Sequence, residues 1–197
     1  MFSKIILLTT FGFSIFYPLC LWVGSTAPLK NGFHRFHIAT PTIIGFISTT
    51  FILFYDFGLV TKLALLNWTL SFFIFSLYTW QKDYPNTFLM TYVVGIGLFA
   101  FINFCADIGI SSINGVTLSV INAIIFCTGL FAMNLGHWYL NVHGLSIKYL
   151  KQSVYIFWIL LGIKILSNLI SILFGKVTID GELLPVWNFL LSLNGMF

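Results

Sequence analysis

Long apolar runs, separated by short polar clusters, organise this chain. Six runs stand out, at residues 5–24, 41–55, 59–80, 87–105, 116–139 and 154–174. A bilayer core is about 30 Å thick and a helix rises about 1.5 Å per residue, so roughly 20 apolar residues span it. The runs are continuous and show no two-residue alternation, which predicts helices and argues against a barrel. The second is the shortest, with room to extend back to Phe36. The gaps are too short for a soluble domain. The pattern predicts an all-α fold: a polytopic membrane bundle of about six transmembrane helices, in one domain covering 1–197.

Boundary residues refine the elements. Thr40-Pro41 reads as an N-cap followed by proline at the first helical position, where a missing N–H costs nothing. The polar turn at 81–86 contains Pro85, which discourages helix continuation. Ser111, Ser112, Asn114 and Gly115 form another breaker cluster. Trp22, Tyr55, Trp80, Tyr84, Trp138 and Tyr139 sit at run ends, as an aromatic belt places them. Beyond Gly175 the chain is polar at Lys176, Asp180 and Glu182, then apolar again at 183–197 around Pro185 and Trp187. That stretch is too short to span comfortably and is expected to be a short amphipathic interfacial segment, or a surface that docks on another subunit. The first run also resembles a signal peptide, with Ser25-Thr26-Ala27 as a candidate cleavage site. Pro28 directly after it favours an uncleaved helix.

With six crossings the two termini share a side. Lys30, Arg35, Lys82, Lys148 and Lys151 fall on one side, and Lys4, Lys62 and Lys176 on the other. This bias puts the odd-numbered loops in the cytoplasm. Lys4, just before the first run, argues the other way.

Composition agrees with this class. Hydrophobic residues make up 59% of the 197, charged residues only 7%, and mean hydropathy is +1.00. Soluble domains carry about 25% charged residues. A cytosolic enzyme, a disordered chain and a nucleic-acid binder are thereby excluded. Net charge +4 comes from a few loop lysines and bears on topology more than on an anionic partner. Cys20, Cys105 and Cys127 lie inside apolar runs at no motif spacing, and read as small buried residues.

Candidate chemistry is sparse. His34, His37, His137 and His143 all fall on one side of the membrane, whichever way the chain faces. Imidazole ligates metals and haem, so two pairs at one level suit a haem, metal or quinone contact. Interfacial histidines also serve simply to bond headgroups, water or backbone. On the fifth run Ser119, Asn122, Asn134, His137 and Asn141 share about a third of the helix circumference. Such a stripe faces the bundle interior or a hydrated cavity, although it can merely glue helices together.

Lys164 is the strongest anomaly. It stands near the middle of the sixth run, where insertion scales charge about 2.5–3.5 kcal/mol. Ser167, Asn168 and Ser171 continue its face. No run contains a carboxylate at matching depth. Candidate roles are binding an anionic or carbonyl group, relaying protons, or pairing with an acid of another subunit. Asp107, one turn after Asn103, is placed either to reach toward Lys164 or to stay interfacial. Gly95, Gly97, Gly129 and Gly136 permit close backbone approach.

The sequence lacks a histidine–glutamate zinc motif, a phosphate-binding loop, a nucleophile elbow and a C-x-x-C pair. It also lacks the paired histidines of a four-helix haem protein. The favoured expectation is an accessory or assembly subunit of a larger membrane complex, bacterial inner-membrane or organellar. An energy-converting complex would place its haem, quinone or metal contact at the histidine rim. The expected partners are the lipid bilayer and other membrane subunits. The alternatives are a small solute or ion transporter or channel lined by the stripe and Lys164, and a haem- or metal-dependent membrane enzyme. No internal repeat of the kind many transporters carry is evident.

Overall fold

The computed structural model describes residues 2–24, 32–141, 146–174, 176–179 and 182–185. Within them six helices are long and apolar enough to cross a membrane: Ser3–Val23, Gly32–Phe54, Leu59–Trp80, Thr87–Asp107, Ile113–Asn141 and Lys148–Phe174. The first is composite, made of α1 (Phe2–Phe16), a 3-10 turn (Tyr17–Cys20) and α2 (Leu21–Gly24). Pro18 lies in the tightened turn, where its missing N–H removes one rung of the α-helical ladder. The others are α3 (Gly32–Phe54), α4 (Leu59–Trp80), α5 (Thr87–Asp107), α6 (Ile113–Asn141) and α7 (Lys148–Phe174).

Four of these helices are longer than the apolar runs that predict them. The largest correction is at α3. Pro41 is not at its first turn but inside it, with a further stretch of helix from Gly32 preceding it. Phe33, His34, His37 and Ile38 on that stretch are buried. Packing of this one face holds the helix through a residue that would otherwise mark its start. α5 runs on to Asp107, α6 from Ile113 to Asn141, and α7 begins at Lys148.

The helix ends are closed by identifiable groups. Asn86 caps α5, its Oδ1 accepting from the Phe88 N–H at 3.0 Å and the Leu89 N–H at 3.2 Å. α5 stops where Gly109 takes φ +97°. There the Ile110 N–H reaches the Cys105 carbonyl at 2.8 Å and the Gly109 N–H reaches Ala106 at 3.0 Å, a Schellman ending. Asp107 serves the neighbouring helix: its Oδ2 accepts from the N–H of Gly58, the N-cap of α4, at 2.9 Å. A carboxylate is well placed at the positive end of a helix. Ser112 Oγ accepts from the Gly115 N–H at 3.1 Å at the start of α6.

Residues Met1–Phe157 form one unit and Trp158–Phe197 a second. In the first, α1 is central and packs on α3, α5 and α6, while α4 packs between α3 and α5. Its span is the most buried of the six. Aromatic side chains fill the core, with Phe11 meeting Trp68 and Phe104. A Cβ on Gly97 would stand 2.7 Å from the Trp68 ring, and one on Gly45 also 2.7 Å. These two glycines make the slot that admits the indole. α1 and α6 approach closely as well, a Cβ on Gly12 falling 2.8 Å from that of Ala123.

Hydroxyls stitch the helices at depth: Ser48 donates to Thr10 at 3.0 Å, and Thr49 and Thr69 pair at 2.8 Å. Trp22 Nε1 donates to Thr91 at 3.1 Å.

In the second unit, the helical residues from Trp158 to Phe174 are followed by β1 (Lys176–Ile179) and β2 (Glu182–Pro185). The strands pair antiparallel, Lys176 with Pro185 and Ile179 with Glu182. Of the segment expected at 183–197, Leu183, Leu184 and Pro185 fall in β2. Residues 186–197 lie outside the described residues.

Candidate functional site

The richest arrangement of polar groups forms around His37, one turn into α3. Its Nδ1 lies 2.8 Å from the Phe33 carbonyl. A carbonyl only accepts, so Nδ1 carries the proton and Nε2 of the neutral ring keeps a free lone pair. That Nε2 is buried and has no hydrogen-bond partner among the described residues. Aromatic rings enclose the imidazole. Tyr17 stacks on it at 5.5 Å and 7°, Phe33 tilts against it at 3.9 Å, and Phe36 and Phe131 meet it edge-on.

Tyr17 ties this ring to α6, its hydroxyl accepting from Asn134 Nδ2 at 2.9 Å. Trp138, one turn further along α6, packs edge-on against Phe33 at 5.4 Å, and its Nε1–H is buried without an acceptor among the described residues. Among the described residues the pocket of rings thus holds one unmatched acceptor and one unmatched donor.

His34, its neighbour along α3, turns to another element. The ring is buried against the backbone of Thr79 and Lys82, at the end of α4. Its Nε2 is also without a partner among the described residues. Arg35 places its guanidinium 5.9 Å from the centre of the Trp80 ring. His137 is exposed on α6, and its carbonyl accepts from Asn141 Nδ2 at 3.1 Å. His143 lies outside the described residues. Among the described residues no three of His, Cys, Asp and Glu gather as metal ligands do. His37 packs among the rings of Tyr17 and Phe131, and His34 lies at the end of α4.

The stripe on α6 divides by partner. Ser119 donates to the Gly115 carbonyl of its own helix at 2.9 Å. Ser119 and Asn122, with Leu8, Thr9, Ala123 and Phe126, line a cavity of about 270 Å³ between α1 and α6. Asn134 instead reaches Tyr17, while Asn122, His137 and Asn141 are exposed. The stripe is not uniformly turned inward, as spacing alone suggests. A second cavity, of about 150 Å³, is almost wholly apolar and includes Cys20, Phe131 and Ser153 in its lining.

Two amides at depth are exposed. Asn67, a residue the sequence pattern does not single out, stands near the middle of α4, exposed, with no side-chain hydrogen bond among the described residues. Asn122 is in the same condition on α6. Lys164 on α7 makes no hydrogen bond or ion pair with the described residues of its own unit. Asn168, one turn on, is exposed, and the Ser171 hydroxyl is engaged by the Ser167 carbonyl at 2.9 Å. Asp107, one candidate partner for the lysine, is engaged at Gly58.

No protein-family model, curated protein or solved structure matches this chain.

Proposed function

We propose that this protein is an integral membrane protein crossing the bilayer six times, and an accessory or assembly subunit of a larger membrane complex. Its outward faces support the membrane part. Phe46, Phe51, Phe54, Leu70, Ile74 and Phe99 are all exposed on long apolar helices. In water such a continuous surface would drive aggregation, whereas lipid covers it at no cost.

The subunit reading is carried by the exposed amides of Asn67 and Asn122. An amide moved into hydrocarbon without a partner costs about 1–3 kcal/mol on mutational scales. Other polar groups of the first unit find partners on neighbouring helices, as at Thr49–Thr69 and Tyr17–Asn134. The helices of a neighbouring subunit would complete what these two lack. Mass measurement after native purification in mild detergent tests this. An assembly containing other chains is expected, and replacing both asparagines by leucine should weaken it without lowering insertion. Recovery of the wild type as a lone 22.3 kDa chain overturns the proposal.

The cavity between α1 and α6 favours a second reading, a path or site for a small polar solute. Ser119, Asn122 and Thr9 give it polar groups in an otherwise apolar lining. Solute flux into vesicles containing the purified chain would be abolished by Asn122→Leu on this reading. Flux equal to that of protein-free vesicles removes it.

A further inference from the structure

We infer that the α7 face bearing Lys164, Ser167, Asn168 and Ser171 docks a transmembrane helix of another protein that presents a carboxylate at the same depth. The inference rests on the subunit reading and names the chemistry of the partner. Helical rise puts Lys164 about 15 Å from the end of α7 at Phe174 and about 24 Å from its start at Lys148. Neither end is within reach of the side chain, so snorkelling does not return the ammonium to water. Within the described residues of its own unit Lys164 finds no acceptor. Ser167, Asn168 and Ser171 follow at one and two turns, so a polar strip continues the charge along one face.

The acidic inventory decides who supplies the counter-charge. The chain holds five carboxylates, Asp56, Asp83, Asp107, Asp180 and Glu182. Asp56 and Asp83 lie between helices, and Asp107 is the last residue of α5 and is bonded to Gly58. Asp180 and Glu182 come after the end of α7. None stands in the interior of an apolar helix. A second copy of the chain therefore brings no acid in the interior of an apolar helix, which argues against self-association as the answer. A lipid phosphate stays at headgroup level, above or below it. The remaining source is an aspartate or glutamate in the span of a different polypeptide, with Asn168 beside it to bond the oxygen left over.

The full chain, reconstituted in phosphatidylcholine vesicles, provides the test. The probe is a synthetic leucine–alanine membrane-spanning peptide with one central glutamate, read by fluorescence energy transfer. It should associate about tenfold more tightly than the same peptide with glutamine. Lys164→Met should erase that preference and Lys164→Arg should keep it. The Met variant gains an apolar residue in an apolar helix, and an unchanged thermal profile in detergent confirms that it folds. Equal association of the two peptides with wild type, or a glutamate preference surviving in Lys164→Met, overturns the inference. A native assembly that persists in Lys164→Met alongside either result leaves the subunit reading standing and removes only this docking face.

Discussion

Around Trp68 the helices leave no space for another carbon. Gly45 on α3 and Gly97 on α5 both face its ring at distances a Cβ cannot occupy. Gly97→Ala is therefore expected to lower stability by about 1–3 kcal/mol, the usual cost of overpacking. Gly95→Ala, two residues away, is the contrasting case, because nothing lies within 4 Å of a Cβ there. It should be neutral or stabilising, through helix propensity alone. Thermal unfolding in detergent separates the two. Both glycines are legible as points of close approach, but spacing cannot rank them, since the indole arrives from another helix. His37 shows the same limit. Its place in the chain marks it as a candidate, yet the stacking of Tyr17 and the link to Asn134 come from residues far away in sequence. Tyr17→Phe should cost only about 0.6 kcal/mol, a typical intramembrane hydrogen bond. Its detectable mark should be a changed Asn134 side-chain amide resonance.

The helices are legible from the sequence in number and less so at their ends. The six runs correspond to six helices because a continuous apolar stretch of that length has few other uses. The start of α3 is hidden because Thr-Pro carries a strong local capping signal, and only the burial of Phe33 and Ile38 outweighs it. The β1–β2 hairpin has a visible signal, Asp180-Gly181 between two short stretches, of the kind that favours a two-residue turn. The apolar character of residues 183–197 masks that signal, because a run of this kind reads equally as an interfacial helix. Asp107 illustrates a cross-element cap that spacing cannot supply, since its acceptor role is at Gly58. Asp107→Ala should release that N–H and cost about 0.5–2 kcal/mol. Hydrogen exchange should rise at Gly58 and across the first turn of α4, with the remaining helices unaffected. Equal protection in the variant would show that the cap is not holding that end.

For the molecule as a whole, composition alone establishes a lipid-compatible surface, because fourteen ionisable side chains of Lys, Arg, Asp and Glu cannot solvate this much hydrocarbon. The arrangement of helices is not legible in the same way. Runs of nearly uniform hydrophobicity do not say which one is surrounded by the others. The structure gives that place to α1, whose neighbours α3, α5 and α6 all come later in the chain. Ribosomes add about 5–20 residues per second. The hub of the bundle is thus made first and waits on the order of ten seconds for α6 to be translated. Until α3 follows, the Thr10 hydroxyl lacks the Ser48 hydroxyl that donates to it, and until α6 follows, the face of α1 around Gly12 lacks Ala123. Biogenesis of this protein should accordingly lean on an insertase or lipid chaperone that shelters the nascent hub, and slowing translation between α1 and α6 should lower its yield more than slowing it after α6.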